Sequence, residues 1–248
     1  MCIVCASGLQ AGPRGFVAQG WLDHTADGAP VVGPLGATEV NDYRAIVSSS
    51  WNIGSNFQPL YGRGAFISFS FQTSVQNSVL EGGAFSTFNA AFINSFQPLT
   101  LTQTEAARTA LRLWGEASGI TFFEVPSGMG DIRFANFDFS LGGPNPPSGA
   151  AAYAYYPGAG LGGDVFVGST NFTSVQLFLH EIGHSLGLRH SFDGASVLPR
   201  ALDNWASTVM SYTSGGNPGN VLGTIDIEAI RYIYGGPDQD GTQVASWS

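Results

Sequence analysis

The chain has 248 residues, of which 44% are apolar, 12% aromatic and only 11% charged. That much apolar and aromatic material excludes whole-chain disorder and suffices for one large domain or two tightly joined lobes. Eighteen acidic residues against nine basic ones give a formal charge of −9, and all nine bases are arginine. A net-negative surface repels phosphate backbones, so no nucleic-acid partner is expected, and the absence of lysine excludes Schiff-base chemistry and a P-loop.

No stretch reaches the roughly 18 apolar residues of a membrane helix, and no membrane partner is expected. Low charge and 34 glycines give the chain an extracellular character. The start, MCIVCASG, has no basic n-region and too short an apolar run for a classical signal, so a secreted protein would use another export route or have been trimmed. Cys2 and Cys5 are the only cysteines and lie too close to the N-terminus to staple a fold.

Residues 1–55 show frequent Gly, Pro and Ser and read as an irregular lead-in, a candidate pro-segment, ahead of a domain over 56–248. Ala65–Phe71 alternates Ile67, Phe69 and Phe71 with Ser68 and Ser70, the pattern of a half-buried strand. One short helix is expected within 85–97. Thr102-x-x-Glu105 reads as a capping box, with Ala107, Ala110, Leu111 and Trp114 on one face of a helix that stops near Gly119. Ile120–Val125, Asp131–Phe137, Ala150–Tyr156 and Asp164–Val167 read as strands, and 173–187 and 225–234 as helices. Strands and helices segregated in this way predict an α+β domain around a twisted sheet.

The chemistry concentrates in His180-Glu181-Ile182-Gly183-His184-Ser185-Leu186-Gly187-Leu188-Arg189-His190, which holds three of the four histidines. A chance match to HExxHxxGxxH at this composition has a probability on the order of 10⁻⁵. Positions four apart on a helix differ by about 40° in azimuth and roughly 6 Å in rise, so His180 and His184 point the same way and can reach one Zn²⁺. Val175, Leu179, Ile182 and Leu186 form a core stripe on the other side. Gly187 sits where a residue of positive φ ends a helix, which lets His190 fold back as third ligand. Three protein ligands leave a coordination position open, as in catalytic zinc sites. Glu181 belongs beside that position as general base. The bland alternative, buried core histidines, suits a lone His better than this set; His24 has no partner at ligand spacing and reads as a surface residue.

A second element, Ser207-Thr208-Val209-Met210-Ser211-Tyr212, follows the third histidine. The two elements together resemble the metzincin zinc endopeptidases, and GITFFEV, DIRFANF, AYAYYPGAGLGGDVFVG and DIEAIRYIYGG extend the resemblance to serralysins and matrixins over about 50–235. It implies a zincin fold: an upper lobe, 56–187, of a twisted mixed sheet with the active-site helix, and a small irregular lower lobe, 188–248, with a Met turn and a C-terminal helix. It implies Met210 as a hydrophobic floor beneath the imidazoles, and Tyr212 as an additional zinc ligand whose phenol can instead stabilise the oxyanion. It also implies that Ala152, Tyr153, Ala154 and Tyr155 form an exposed edge to which an extended peptide adds as a strand. An ordinary edge strand is the plain reading of the same residues.

The chain departs from both families. Ser191 follows the third histidine as in matrixins, where serralysins carry proline. Matrixins hold a second zinc through histidines at positions occupied here by Tyr153 and Phe166, so a single catalytic zinc is expected. Asp164 keeps the matrixin pattern for a calcium loop without companion carboxylates, and reads more simply as a turn cap. Asp238-x-Asp240-Gly241 is too short for the calcium-binding repeats of serralysins and reads as a solvated tail. The matrixin pro-segment cysteine motif is missing; a Cys2 or Cys5 thiolate on the metal and a plain terminal CxxC are alternative readings. The expectation is a secreted, monomeric zinc metalloendopeptidase acting on proteins and peptides, with specificity set by SGGNPGNVLG after Tyr212. The alternatives are a catalytically silent zinc-holding adhesion module on the same fold, and a zinc hydrolase of a non-peptide amide.

Overall fold

The computed structural model describes residues 19–22, 34–48, 61–80, 88–142, 150–158, 160–215 and 220–239. Cys2, Cys5, His24, Asp240 and part of the segment after Tyr212 lie outside them. In chain order the elements are β1 (Gln19–Leu22), β2 (Thr38–Glu39), β3 (Ala65–Phe71), α1 (Asn77–Leu80), α2 (Ala90–Asn94), α3 (Leu101–Ala117), β4 (Ile120–Glu124), β5 (Ile132–Asn136), β6 (Ala150–Ala154), β7 (Asp164–Val167), α4 (Val175–Ser185), β8 (Ser196–Val197) and α5 (Thr224–Tyr234). Short 3₁₀ turns lie at Tyr43–Ala45, Phe139–Leu141 and Pro237–Gln239.

Six strands form one sheet in the order β1-β6-β7-β5-β3-β4. β3 runs parallel to β4 and β5, β5 runs parallel to β7, and β6 is antiparallel to β7. This is the mixed sheet of an α+β fold. Alternation along the strands sends Ile67, Phe69, Ile132, Phe134, Ala152 and Ala154 to one face, where α3 and α4 cover them. The other face, at β5, β6 and β7, buries Ala135, Phe137, Tyr153, Tyr155 and Phe166 under Phe88 and Phe92.

The helix expected to start on a Thr102–Glu105 box is capped two residues earlier. Thr100 is the N-cap: its hydroxyl accepts from the Gln103 amide, and Gln103 Oε1 accepts from the Thr100 backbone N–H at 3.0 Å. Gln103 wins the role because its side chain is buried and also donates to Asn136, Ser169 and Phe172, whereas Thr102 and Glu105 face solvent.

The lead-in is not wholly irregular. Thr38–Glu39 pairs in parallel with Ser196–Val197, and Ala45 and Ile46 are fully buried in the main core. Tyr43 stacks on Tyr232 of α5 with ring centroids 4.5 Å apart, so residues 34–48 pack against the lower lobe. One continuous apolar cluster runs from the sheet through α3 and α4 to Val209, Met210 and α5. Both lobes therefore share a core. Among the described residues no helix is long and apolar enough to cross a membrane.

Candidate metal centre and active site

α4 opens on Ser174, whose hydroxyl accepts from the Leu177 amide. Every residue from Gln176 to Ser185 is buried, so this helix crosses the interior, and the expected stripe of Leu179, Ile182 and Leu186 is only one side of a helix enclosed all round. It ends as the sequence predicts. Gly187 has φ of 103°, its N–H donates to the His184 carbonyl, and the Leu188 N–H donates to the Gly183 carbonyl. That paired closure is a Schellman motif, and it turns the chain so that His190 comes back to the helix.

The three imidazoles meet. His184 Nε2 lies 3.1 Å from His180 Nε2 and 3.2 Å from His190 Nε2. Each outer nitrogen is already engaged. His180 Nδ1 donates to the Val209 carbonyl and His184 Nδ1 to the Leu188 carbonyl, both at 2.7 Å, and His190 Nδ1 donates to Asp193 Oδ2 at 2.9 Å. A carbonyl oxygen only accepts, so Nδ1 carries the proton and Nε2 of a neutral ring presents a lone pair. Lone pairs converging at about 3 Å repel one another unless a cation lies among them. Burial, and then the neighbouring His190 imidazole, holds His180 well below the usual histidine range; for His184 burial is followed by His180 and His190. Neutral rings with inward lone pairs are what zinc ligation needs, and the second bond of each ring fixes its tautomer and orientation. The donor set fits a metal ion, and these three are the cluster of metal-ligating side chains found among the described residues.

The segment Ser207–Tyr212 packs against α4 through Met210. Met210 is fully buried, and its sulfur sits so close to Gly183 of α4 that a Cβ there would lie 2.6 Å away. Glycine between the two ligand histidines thus lets the turn approach the helix directly. Asp226 of α5, also fully buried, accepts from Thr208 Oγ1 at 2.6 Å and from the Val209 and Gly223 amides at 2.8 Å. Burial raises its carboxyl to about 7, against the pull of those three donors. The clamp extends to the metal site, since the Val209 carbonyl it positions orients His180.

Tyr212 donates its hydroxyl to His190 Nε2 at 2.9 Å, which puts the phenol on the ligand side of the ring. Glu181 is fully buried one position after the first histidine. Ser191 donates to Asp203 Oδ1 at 2.5 Å, and its N–H reaches the Met210 carbonyl, so the residue after the third ligand also anchors the turn. Sequence reasoning missed Asp193, Asp203 and Asp226. Asp193 could have been singled out by its three-residue spacing from His190; nothing local marks the other two.

A family model described as matrixin, of the M10 peptidases, matches residues 92–235, more than half of the chain and all three histidines. The chain belongs to the matrixin family. It is 37% identical over 151 residues to interstitial collagenase of Bos taurus, covering 56% of this chain and 29% of that protein. It is 35% identical over 142 residues to neutrophil collagenase of Homo sapiens, covering 52% and 28%. Serralysin A of Dickeya chrysanthemi is 31% identical over 207 residues, covering 75% of this chain and 41% of that protein. The chain thus spans about three-tenths of the length of the collagenases it matches. Catalytic zinc is the metal of matrixins, and His180, His184 and His190 form a triad able to hold it.

Three matrixin-related positions are put to other uses here. Tyr153 and Phe166, where histidines would hold a second zinc, pack edge to face with ring centroids 5.3 Å apart inside the aromatic cluster. Asp164 is not a turn cap. It is fully buried and accepts from Arg133 Nε at 2.5 Å, Ser78 Oγ at 3.0 Å and Gln76 Nε2 at 3.1 Å. Arg133 also donates to the Gly160 carbonyl at 2.6 Å, so a guanidinium neutralises the carboxylate assigned to a calcium loop. The substrate strand differs as well. β6 is not an open edge: β1 pairs with it, and Tyr153 and Tyr155 turn to the aromatic cluster while Ala152 and Ala154 face the main core.

Proposed function

We propose that this matrixin is a secreted zinc-dependent endopeptidase. The observation that carries the reading is the convergence of three Nε2 lone pairs, each ring pinned through its opposite nitrogen. Matrixin membership and collagenase and serralysin relatives support it. His180, His184 and His190 would hold the metal, with Tyr212 beside them. Zinc, when bound there, acidifies water and polarises a carbonyl. Glu181 takes the proton from the attacking water and passes it to the departing amine; its burial keeps the carboxylate clear of competing solvent. The Tyr212 hydroxyl, released from His190 Nε2, donates to the scissile oxygen as negative charge builds there. Met210, wedged against Gly183, and the Asp226 clamp keep the floor rigid beneath the rings. With β1 displaced from that edge, backbone groups of Ala152–Tyr155 would hold an extended peptide by strand addition, which tolerates many side chains.

Casein tests the reading. The protein with one equivalent of zinc should cleave it, lose that activity on dialysis against a chelator and regain it when zinc is returned. Cleavage that persists in metal-stripped protein would contradict the mechanism, and zinc-loaded protein that cleaves no unfolded protein would favour a silent binding module.

A further inference from the structure

Tyr212 is held through its two chain neighbours. The Ser211 carbonyl, just before it, accepts from the indole Nε1 of Trp205 at 2.9 Å, and the Thr213 carbonyl, just after it, accepts from the Trp205 backbone N–H at 3.1 Å. One residue therefore fastens the chain on both sides of the tyrosine. It does so from a braced turn. The Asn204 side chain accepts from the Ala206 N–H and donates to the Ala201 carbonyl, both at 3.0 Å, and the Asn204 carbonyl accepts from the Ser207 and Thr208 amides. The same turn reaches the third histidine, because Asp203 accepts from Ser191. Residues 203 and 205 thus tie the neighbour of His190 and both neighbours of Tyr212 to one platform, and the phenol rests 2.9 Å from His190 Nε2.

We propose that Trp205 is a positioning residue for Tyr212, fixing the backbone from which the phenol moves between His190 Nε2 and the scissile oxygen. A hydrogen-bond donor stabilises developing charge best when it is already aimed at the place where that charge appears. With the carbonyls at 211 and 213 fastened, the phenol changes place by turning about its own side-chain bonds between staggered positions, and the segment itself does not drift. Removing the indole N–H deprives the Ser211 carbonyl of this donor and opens other backbone positions, from which the hydroxyl misses the oxygen. The loss falls on kcat, because the contact strengthens only as charge builds on the oxygen, and substrate binding is left as it was. The inference rests on the reading of Tyr212 as oxyanion donor.

Phenylalanine and histidine at position 205, in the full-length chain, separate the hydrogen bond from packing. Trp205→Phe keeps the larger apolar ring and has no N–H; Trp205→His is smaller, yet its Nε2 takes the ring position of the indole Nε1 and can donate. With zinc bound, Trp205→Phe should lower kcat on an unstructured peptide about tenfold, with KM and zinc content unchanged, whereas Trp205→His should keep about half of the parent kcat or more. Tyr212→Phe should lower kcat about 10²-fold, and adding Trp205→Phe to it should have no further effect. In the metal-free proteins, amide exchange at Thr213 should be faster in Trp205→Phe than in the parent, with Trp205→His between them. A histidine variant no more active than the phenylalanine one, effects at 205 and 212 that add in full, or unchanged exchange at Thr213 would each overturn the proposal. So would a Trp205→Phe chain that does not fold, since one such bond contributes only about 1 kcal/mol to stability. Undiminished kcat in Tyr212→Phe would instead sink the oxyanion reading, and the positioning role with it.

Discussion

Glutamine in place of Glu181 is expected to lower kcat on casein by about 10²–10⁴-fold while one zinc per chain stays bound. The substitution keeps size and shape in a fully buried position, so packing around α4 is undisturbed. The Nδ1 bonds of the three imidazoles go to Val209, Leu188 and Asp193. What is lost is the capacity to accept a proton, which an amide lacks. Steady-state kinetics and zinc analysis on one preparation decide the matter. A variant that keeps its zinc and more than about a tenth of its activity would remove Glu181 from the proton transfer.

The second large effect is on stability. Arg133→Ala should destabilise the fold by about 3–5 kcal/mol at pH 7.5, because it strands a buried carboxylate. Asp164 is wholly out of solvent, and burial already raises it to about 6 with Arg133 opposing. A carboxyl raised above its unfolded value loses its stabilising contribution as pH climbs through the folded value, and removing the guanidinium raises that value further. The deficit should therefore shrink toward pH 4.5, where Asp164 is protonated in both proteins, and be fully expressed at neutral pH and above. In a chain of this length it corresponds to a melting temperature lower by roughly 10 °C. Denaturant melts at both pH values check it. A deficit independent of pH would mean that Arg133 acts by packing and not by charge.

These effects differ in how far the sequence announces them. Spacing within one helix is local information, so HExxH, the glycine stop at 187 and the return of His190 can be read from eleven consecutive residues. Alternation likewise places Ala65–Phe71 with its observed bounds. Pairing between distant segments is not local. Arg133 meets Asp164 because β5 and β7 run parallel in a register that sets them opposite one another, and neither residue marks the other in the sequence. Asp226 reads as an ordinary acid in the first turn of a helix until the fold brings the Met turn to it. A Gly-rich lead-in likewise carries no periodic signal of Gln19–Leu22 joining the sheet or of Ala45 and Ile46 entering the core. The misplaced capping box has a different origin. Two overlapping Thr-x-x-acceptor patterns begin at 100 and 102, and burial of Gln103, a tertiary effect, selects the first.

The central claim is that His180, His184 and His190 grip one catalytic ion. A crystal grown with one equivalent of zinc and measured on both sides of the zinc absorption edge tests it most directly. A single strong anomalous peak is expected about 2.0–2.1 Å from all three Nε2 atoms, with the Nδ1 bonds to Val209, Leu188 and Asp193 intact. A peak elsewhere, or rings rotated so that their Nε2 atoms diverge, would contradict it.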